Sequence, residues 1–219
     1  MKAKMNFHII TLFPDSIYGY IQHSILKRAI EDGKITVSFY DPKDFCDEKV
    51  RADDKPYGGG PGMVMRAMPV IRAIEAAKCR KKKVKIMFMS PQGEQFTNDY
   101  ANTVAHDFTD VIIVSGRYEG IDARVKEVFP MDEISIGPFV LTGGELPAMI
   151  ICDVISRRVE GVLGNFDSVE ETRNASNDVY TRPSEFIYRK KKYSVPDVLL
   201  SGHHANLENW REGNSKHKK

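Results

Sequence analysis

Cysteine is scarce in this chain of 219 residues: only Cys46, Cys79 and Cys152 carry a thiol, far apart and with no CxxC pair. An odd count at such spacing excludes a disulfide framework and a cysteine zinc site as organising devices. Long apolar runs are missing too, and none approaches the roughly 20 residues that span a bilayer. The opening MKAKMNFHIITLF has too short an apolar stretch for a secretory signal and no small-residue cleavage site. A cytosolic chain with no membrane partner is expected. Net charge is nearly absent, with Lys+Arg 32 against Asp+Glu 30. No chain-wide field therefore drives the protein onto nucleic acid. Basic charge is local, at Arg80 to Lys83 with Lys85, at Arg189 to Lys192 and at Lys216 to Lys219; solvated surface is the plain reading of such runs. No internal repeat is present.

What the chain does have is apolar content and an alternating texture. Hydrophobic residues make up 42%, enough for a sizeable core in one large domain, or in one domain with a small appendage. Phe7 to Leu12 reads as a buried strand. Pro14-Asp15 opens a helix in which Ile17, Ile21, Ile25 and Ala29 recur at helical spacing until Gly33 ends it. Lys34 to Tyr40 alternates as a strand does. After an irregular stretch from Asp41 to Met63 come a helix from about Pro69 to Lys78, a strand at Val84 to Met89, the turn SPQG, a helix near Asn98 to His106 and a strand at Asp110 to Ser115. Strands separated by helices predict an α/β fold with a parallel sheet. The texture changes beyond Gly164. Residues 1–164 read as the main domain, the polar stretch 165–181 as a linker, and residues 182–219, with VPDVLLSG and HANLENWR, as a small helical domain.

The stretch from Ser115 to Met149 concentrates the features of a binding site. Two apolar strands end there in polar, glycine-bearing loops, SGRYEGID and SIGPFVLTGGELPAM. In open α/β sheets, ligands sit beyond the carboxyl ends of strands, where glycines let the backbone approach a small molecule. The glycines do not form a phosphate cradle: Gly58, Gly59, Gly60 and Gly62 lack the GK[ST] ending and the GxGxxG spacing. Gly143-Gly144 precedes a helix that would suit an anion, but Glu145 brings its own negative charge there. The pattern fits close packing against a ligand that is not strongly anionic, and tight turns remain the plainer alternative.

The motifs DDKPYGGGPGM (Asp53 to Met63), SPQG, GRYEGID, SIG…VLTGGELPAM, GVLGN, YTRP and VLLSGHH, in this order, resemble the bacterial tRNA (guanine-N1)-methyltransferase family of the SPOUT superfamily. The resemblance runs from Asp53 to about Trp210. It implies a parallel sheet whose C-terminal part is tied in a deep trefoil knot, a homodimer with active sites at the subunit interface, and methyl transfer from S-adenosylmethionine to N1 of the guanosine immediately 3′ of the tRNA anticodon. It leaves room for magnesium as an accessory ion. A related enzyme acting on another RNA position, and an RNA-binding homologue with weakened catalysis, stay open as alternatives.

Carried onto this chain, the resemblance puts the cofactor among three loops: Met89, Ser90 and Pro91; Gly116, Tyr118 and Glu119; and Ser135, Ile136, Gly137, Pro138, Phe139, Val140 and Leu141, continuing to Gly143, Gly144 and Pro147. Ile136, Phe139 and Leu141 would wall an adenine ring. Arg157 matches the arginine beside the target base, where it would stabilise negative charge developing on O6; its plain alternative is neutralising a helix C-terminus. Glu119 would lie near cofactor or base, or simply pair with Arg117 or Arg124. The family's general base is an aspartate in the linker, and this chain departs from the pattern by placing Thr172 there. Glu171 is the expected base, with Glu170 and Asp178 in reserve. Asp53, Tyr57, Gly62, Ser168 and Arg182 are the expected substrate contacts, and Arg189 to Lys192 and Arg211 would meet phosphates. The chain also ends sooner after Trp210 than familiar members do, which leaves less C-terminal domain for the RNA grip.

Overall fold

Strand and helix alternate through the first part of the chain. In order come β1 (Met5–Ile10), α1 (Pro14–Ile21), α2 (Ser24–Glu31), β2 (Ile35–Tyr40), a 3₁₀ turn (Pro42–Phe45), β3 (Asp53–Asp54), β4 (Val64–Met65), α3 (Ala67–Lys78), β5 (Val84–Gln95), α4 (Asn98–Asp107), β6 (Asp110–Val114), α5 (Arg124–Val128), β7 (Asp132–Ser135) and α6 (Glu145–Ser156). These elements belong to a computed structural model that describes residues 4–78, 83–163, 178–203, 205–207 and 209–210. The chain divides into two units, Met1–Gly164 and Asn165–Lys219.

In the first unit the strands pair in the order β2-β1-β6-β5-β7, every pair parallel. Side chains alternate across such a sheet, so each strand feeds two cores. Along β6, Val111 and Ile113 enter one cluster while Ile112 and Val114 enter the other. Helices α1, α2, α4 and α6 close the first face through Ile17, Leu26, Ala101 and Ile151. Helices α3 and α5 close the second through Val70, Ile74 and Val125. A sheet covered on both faces needs strands that are apolar at nearly every position, and β6 is buried along its whole length. The expected parallel α/β sheet is present.

Two local expectations need correction. The helix read from Pro14 to Gly33 is two helices, α1 and α2, with Ser24 at φ +53 where the second begins. Leu26, not Ile25, is buried, so the apolar phase slips by one residue at the break and both halves keep an apolar side on the sheet. The strand read as Val84 to Met89 continues to Gln95, and its pairing with β7 jumps from Met89 to Glu94. The SPQG segment is thus an outward excursion of a strand that resumes, not the turn that ends it.

The described part of the second unit holds an antiparallel hairpin of β8 (Glu185–Tyr188) and β9 (Lys191–Ser194), followed by a short helix, α7 (Asp197–Leu200). Phe186 and Tyr193 stack across the hairpin with ring centroids 5.3 Å apart. Arg189 and Lys190 form its two-residue turn at φ +46 and +64. The sequence reading anticipated helix here and no hairpin. Among the described residues no helix is long and apolar enough to cross a membrane.

Candidate active site

Strands β6, β5 and β7 lie side by side and run in the same direction, so the segments that leave their carboxyl ends converge. They wall a cavity of about 430 Å³, within the range usual for a small-molecule site. Every residue expected to hold the cofactor lines it except Pro138 and Gly144. Sequence reasoning missed part of the wall: Phe88, Gln92, Lys126, Glu133 and Thr142 also line it. Phe88 and Glu133 are strand residues that β-alternation could have flagged; Lys126 is brought in by α5, whose register nothing local reveals.

The loops are held in place by backbone contacts that glycine permits. Gly144 N–H donates to the Gly116 carbonyl at 2.9 Å, and Arg117 and Gly143 form an antiparallel bridge. A Cβ on Gly144 would lie 2.7 Å from Ser115 Cα, and one on Gly93 would lie 2.4 Å from the Glu133 carbonyl carbon. Beneath the third loop, Ser135 Oγ donates to the Gly137 carbonyl at 2.9 Å and accepts from Gly137 N–H at 3.2 Å. Tyr118 turns the second loop at φ +60, and Gly120 N–H donates back to the Arg117 carbonyl at 3.0 Å.

Charge in the cavity wall is largely balanced. Lys126 Nζ stands 2.6 Å from Glu133 Oε1, so the wall's lysine is already engaged. Glu119 is exposed and pairs with neither arginine considered for it: Arg117 Nε is 2.8 Å from Glu145 Oε2, and Arg124 holds Asp122. Among the described residues no group of three or more His, Cys, Asp or Glu side chains is arranged to hold a metal ion.

Part of the expected substrate set adjoins the cavity through the second loop. Glu119 N–H donates to the Met63 carbonyl and Met65 N–H to the Gly120 carbonyl, both at 3.0 Å. Gly62 packs so closely on Glu119 that a Cβ there would lie 2.7 Å from its Oε1. Asp53, in β3, is buried under a two-pronged contact from Arg51 at 2.9 and 3.0 Å. The Arg51 guanidinium holds the Asp53 carboxyl below the usual carboxylate range against the opposing pull of burial, with help from Tyr118. Tyr57 is fully exposed.

Arg157 is not at the cavity. It caps the C-terminus of α6, and at 1.5 Å per residue that is about 15 Å along the helix from Pro147, which lines the cavity. Its neighbour Arg158 is committed to α4, donating to Asn98 and Asn102 at 2.8 and 2.6 Å. Arg182 is exposed in the second unit. Glu171 and Ser168, with Glu170 and Thr172, lie outside the described residues.

The chain is similar to known proteins over nearly its whole length. A family model described as tRNA (Guanine-1)-methyltransferase TrmD matches residues 5–219. A tRNA (guanine-N(1)-)-methyltransferase of Lachnospira eligens is 46% identical over 218 residues, covering 96% of this chain and 90% of the relative. One from Geobacter metallireducens is 46% identical, covering 94% and 84%. The crystal structure of the tRNA (m1G37) methyltransferase from Aquifex aeolicus superposes with a TM-score of 0.79 at 37% identity, covering 96% of this chain and 88% of that one.

Proposed function

Because the chain belongs to the tRNA (guanine-1)-methyltransferase family, we propose that it transfers a methyl group from S-adenosylmethionine to N1 of the guanosine immediately 3′ of the anticodon in tRNA. The observation that carries this reading is the cavity at the carboxyl ends of β5, β6 and β7, which gathers nearly the whole expected cofactor set. The residues present fit that cofactor. Ile136, Phe139 and Leu141 offer apolar surface to an uncharged ring, backbone groups at the strand ends offer hydrogen bonds, and the one lysine in the wall is engaged by Glu133. A polyphosphate would call for free cations, and the wall's one lysine is already paired; a ligand with no phosphate and one positive sulfonium makes no such demand.

When bound, the cofactor supplies an electrophilic methyl group. The protein's part is to bring guanine N1 to it, take the N1 proton and stabilise charge on O6. In this reading Glu119 borders both the cavity and the Gly62 segment that faces the base, and Glu171 of the linker takes the proton. Arg157 is the O6 partner, and its distance from the cavity of its own chain argues that it serves the cavity of a second copy. That supports a homodimer with shared sites. The reading includes the family's trefoil knot, supported by the close seating of 142–144 against 115–117. Residues 182–219 form the RNA grip, in which exposed Arg182 and the basic hairpin meet phosphates and make affinity fall with salt.

The test is methyl transfer from radiolabelled S-adenosylmethionine to unmodified tRNA, with the product mapped. Label at N1 of the guanosine after the anticodon is expected. Label at another nucleotide overturns the assigned position, and cofactor binding without transfer overturns the enzymatic reading.

A further inference from the structure

Glu145 is the first residue of α6 and is 3% exposed. A carboxylate so buried is costly to keep unless its oxygens find partners. Oε1 accepts from Thr11 Oγ1 at 2.9 Å, and the same hydroxyl oxygen accepts from Phe13 N–H at 3.0 Å. Oε2 lies 2.8 Å from Arg117 Nε. Both of these last atoms are shut off from solvent, yet the N–H is not aimed along the line between them, so charge more than a directed hydrogen bond holds the pair. Arg117 continues outward, donating from Nη1 to the Thr142 carbonyl at 3.2 Å and laying its guanidinium over the Phe13 ring at 4.5 Å.

One carboxylate therefore joins three segments distant in sequence: residues 11–13 after β1, residues 116–117 after β6, and residues 142–144 before α6. The pair also fills the space beside Gly143, where a Cβ would lie 2.4 Å from Arg117 Nε and 2.6 Å from Glu145 Oε2. Gly116, Tyr118, Thr142 and Gly143, which are bonded or adjacent to these groups, line the cavity; Glu145, Thr11 and Arg117 do not. We propose that Glu145, through Arg117 and Thr11, is a positioning residue that locks the second and third cofactor loops together in their binding shape before any ligand arrives. This rests on the reading of the cavity as an S-adenosylmethionine site. Preorganisation of this kind shows as affinity, because loops left loose must be ordered by the ligand itself.

Glu145→Gln preserves size and the Thr11 contact while removing the charge that holds Arg117. It is expected to weaken S-adenosylmethionine binding by about tenfold in calorimetry, the scale of one charge-assisted contact. In the ligand-free protein, amide hydrogen exchange should rise in residues 116–120 and 142–144 and stay unchanged in β1 and β6. Arg117→Met should give the same pattern, and the double variant should cost no more than either single one, since the two act as a unit. Thr11→Val, which leaves the ion pair in place, should have a smaller effect and guards against a variant that does not fold. Binding within twofold of the parent in Glu145→Gln, or exchange that rises evenly through the sheet, overturns the proposal. If the parent itself fails to bind S-adenosylmethionine, the assignment of the cavity falls, and the ligand-free exchange pattern still decides whether the lock exists.

Discussion

Residues 58–62 and residues 143–144 are both glycine-rich loops, and they use glycine for opposite reasons. At Gly58, Gly59 and Gly60 the backbone stands at φ +83, +81 and +118, with nothing within 4 Å of where a Cβ would be. Gly144 sits at φ −82, which any residue can adopt, but its Cβ would strike the backbone of Ser115. The first loop needs the left-handed conformations that glycine tolerates; the second needs the volume that glycine leaves empty. An open loop that follows an exposed tyrosine, Tyr57, can adjust to a large partner. A loop wedged between two others can serve as the fixed floor of a small-molecule site. In the proposed function these are the two halves of the task, the adaptable contact with RNA and the rigid grip on the cofactor.

The largest effect is expected at Gly144→Ala. The nearest atoms are all backbone, Ser115 Cα at 2.7 Å, Gly116 N at 2.9 Å and Ser115 C at 3.0 Å, and they belong to the two residues that directly follow the fully buried strand β6, which leaves them little room to retreat. Destabilisation of about 3 kcal/mol, the upper end of overpacking penalties, should lower the melting temperature by on the order of 10 °C for a chain of this size. S-adenosylmethionine binding should be lost with it. A melting temperature within a degree of the parent would mean that the second loop is as loose as the first.

Next comes Gly143→Val, which separates packing from positioning within the closed loop. The three atoms nearest its Cβ are all side-chain atoms, of Arg117 and Glu145. A side chain can swing away, so the fold should lose only about 1 kcal/mol. Cofactor affinity should fall by about tenfold or more, because moving Arg117 releases both loops it joins. Differential scanning fluorimetry and calorimetry on the same preparation check the split. Equal losses in Gly143→Val and Gly144→Ala would show that both glycines matter for packing alone.

The difference between the loops was only half legible in the sequence. Strands, their parallel direction and the two glycine-bearing loops between Ser115 and Met149 are legible because apolar runs ending in such turns are local signals, whereas the loop at Met89 to Pro91 is singled out only by the resemblance. Which glycines are crowded is a tertiary fact: the contact of Gly144 with Ser115, and of Glu145 with Thr11, joins residues distant along the chain. The break between α1 and α2 leaves no local mark because Ile25 and Leu26 are adjacent and equally apolar, and only the slip in phase selects Leu26. The β8–β9 hairpin was hidden by its turn. Two residues at positive φ ordinarily appear as Asn-Gly or a close relative, and here they are Arg189 and Lys190, which read as a charged run. The role of Arg157 rests on resemblance alone, whereas its place at the C-terminus of the helix that begins at Glu145 is legible in the sequence.

The smallest effect on cofactor binding is expected in the open loop, at Gly59→Ala. An alanine forced to φ +81 pays about 1 kcal/mol against its preferred backbone, and no neighbouring atom adds to that cost. Residues 58–62 belong to neither core cluster, so the loop can relax locally and the melting temperature should fall by no more than about 2–4 °C. S-adenosylmethionine affinity should stay within about twofold, since residues 58–62 do not line the cavity and Gly59 is three residues from the Gly62 that packs on Glu119. The change should appear instead in the reaction with tRNA, as a rise in KM with little loss of kcat, because a reshaped loop presents Tyr57 differently to the macromolecule before chemistry begins. The decisive measurement is the pair of ligands side by side in steady-state kinetics. A shift in the tRNA constant alone supports the division between an adaptable loop and a fixed floor. A loss of cofactor affinity matching that of Gly143→Val would mean that the two glycine loops act on the same site and that the contrast between them is one of appearance only.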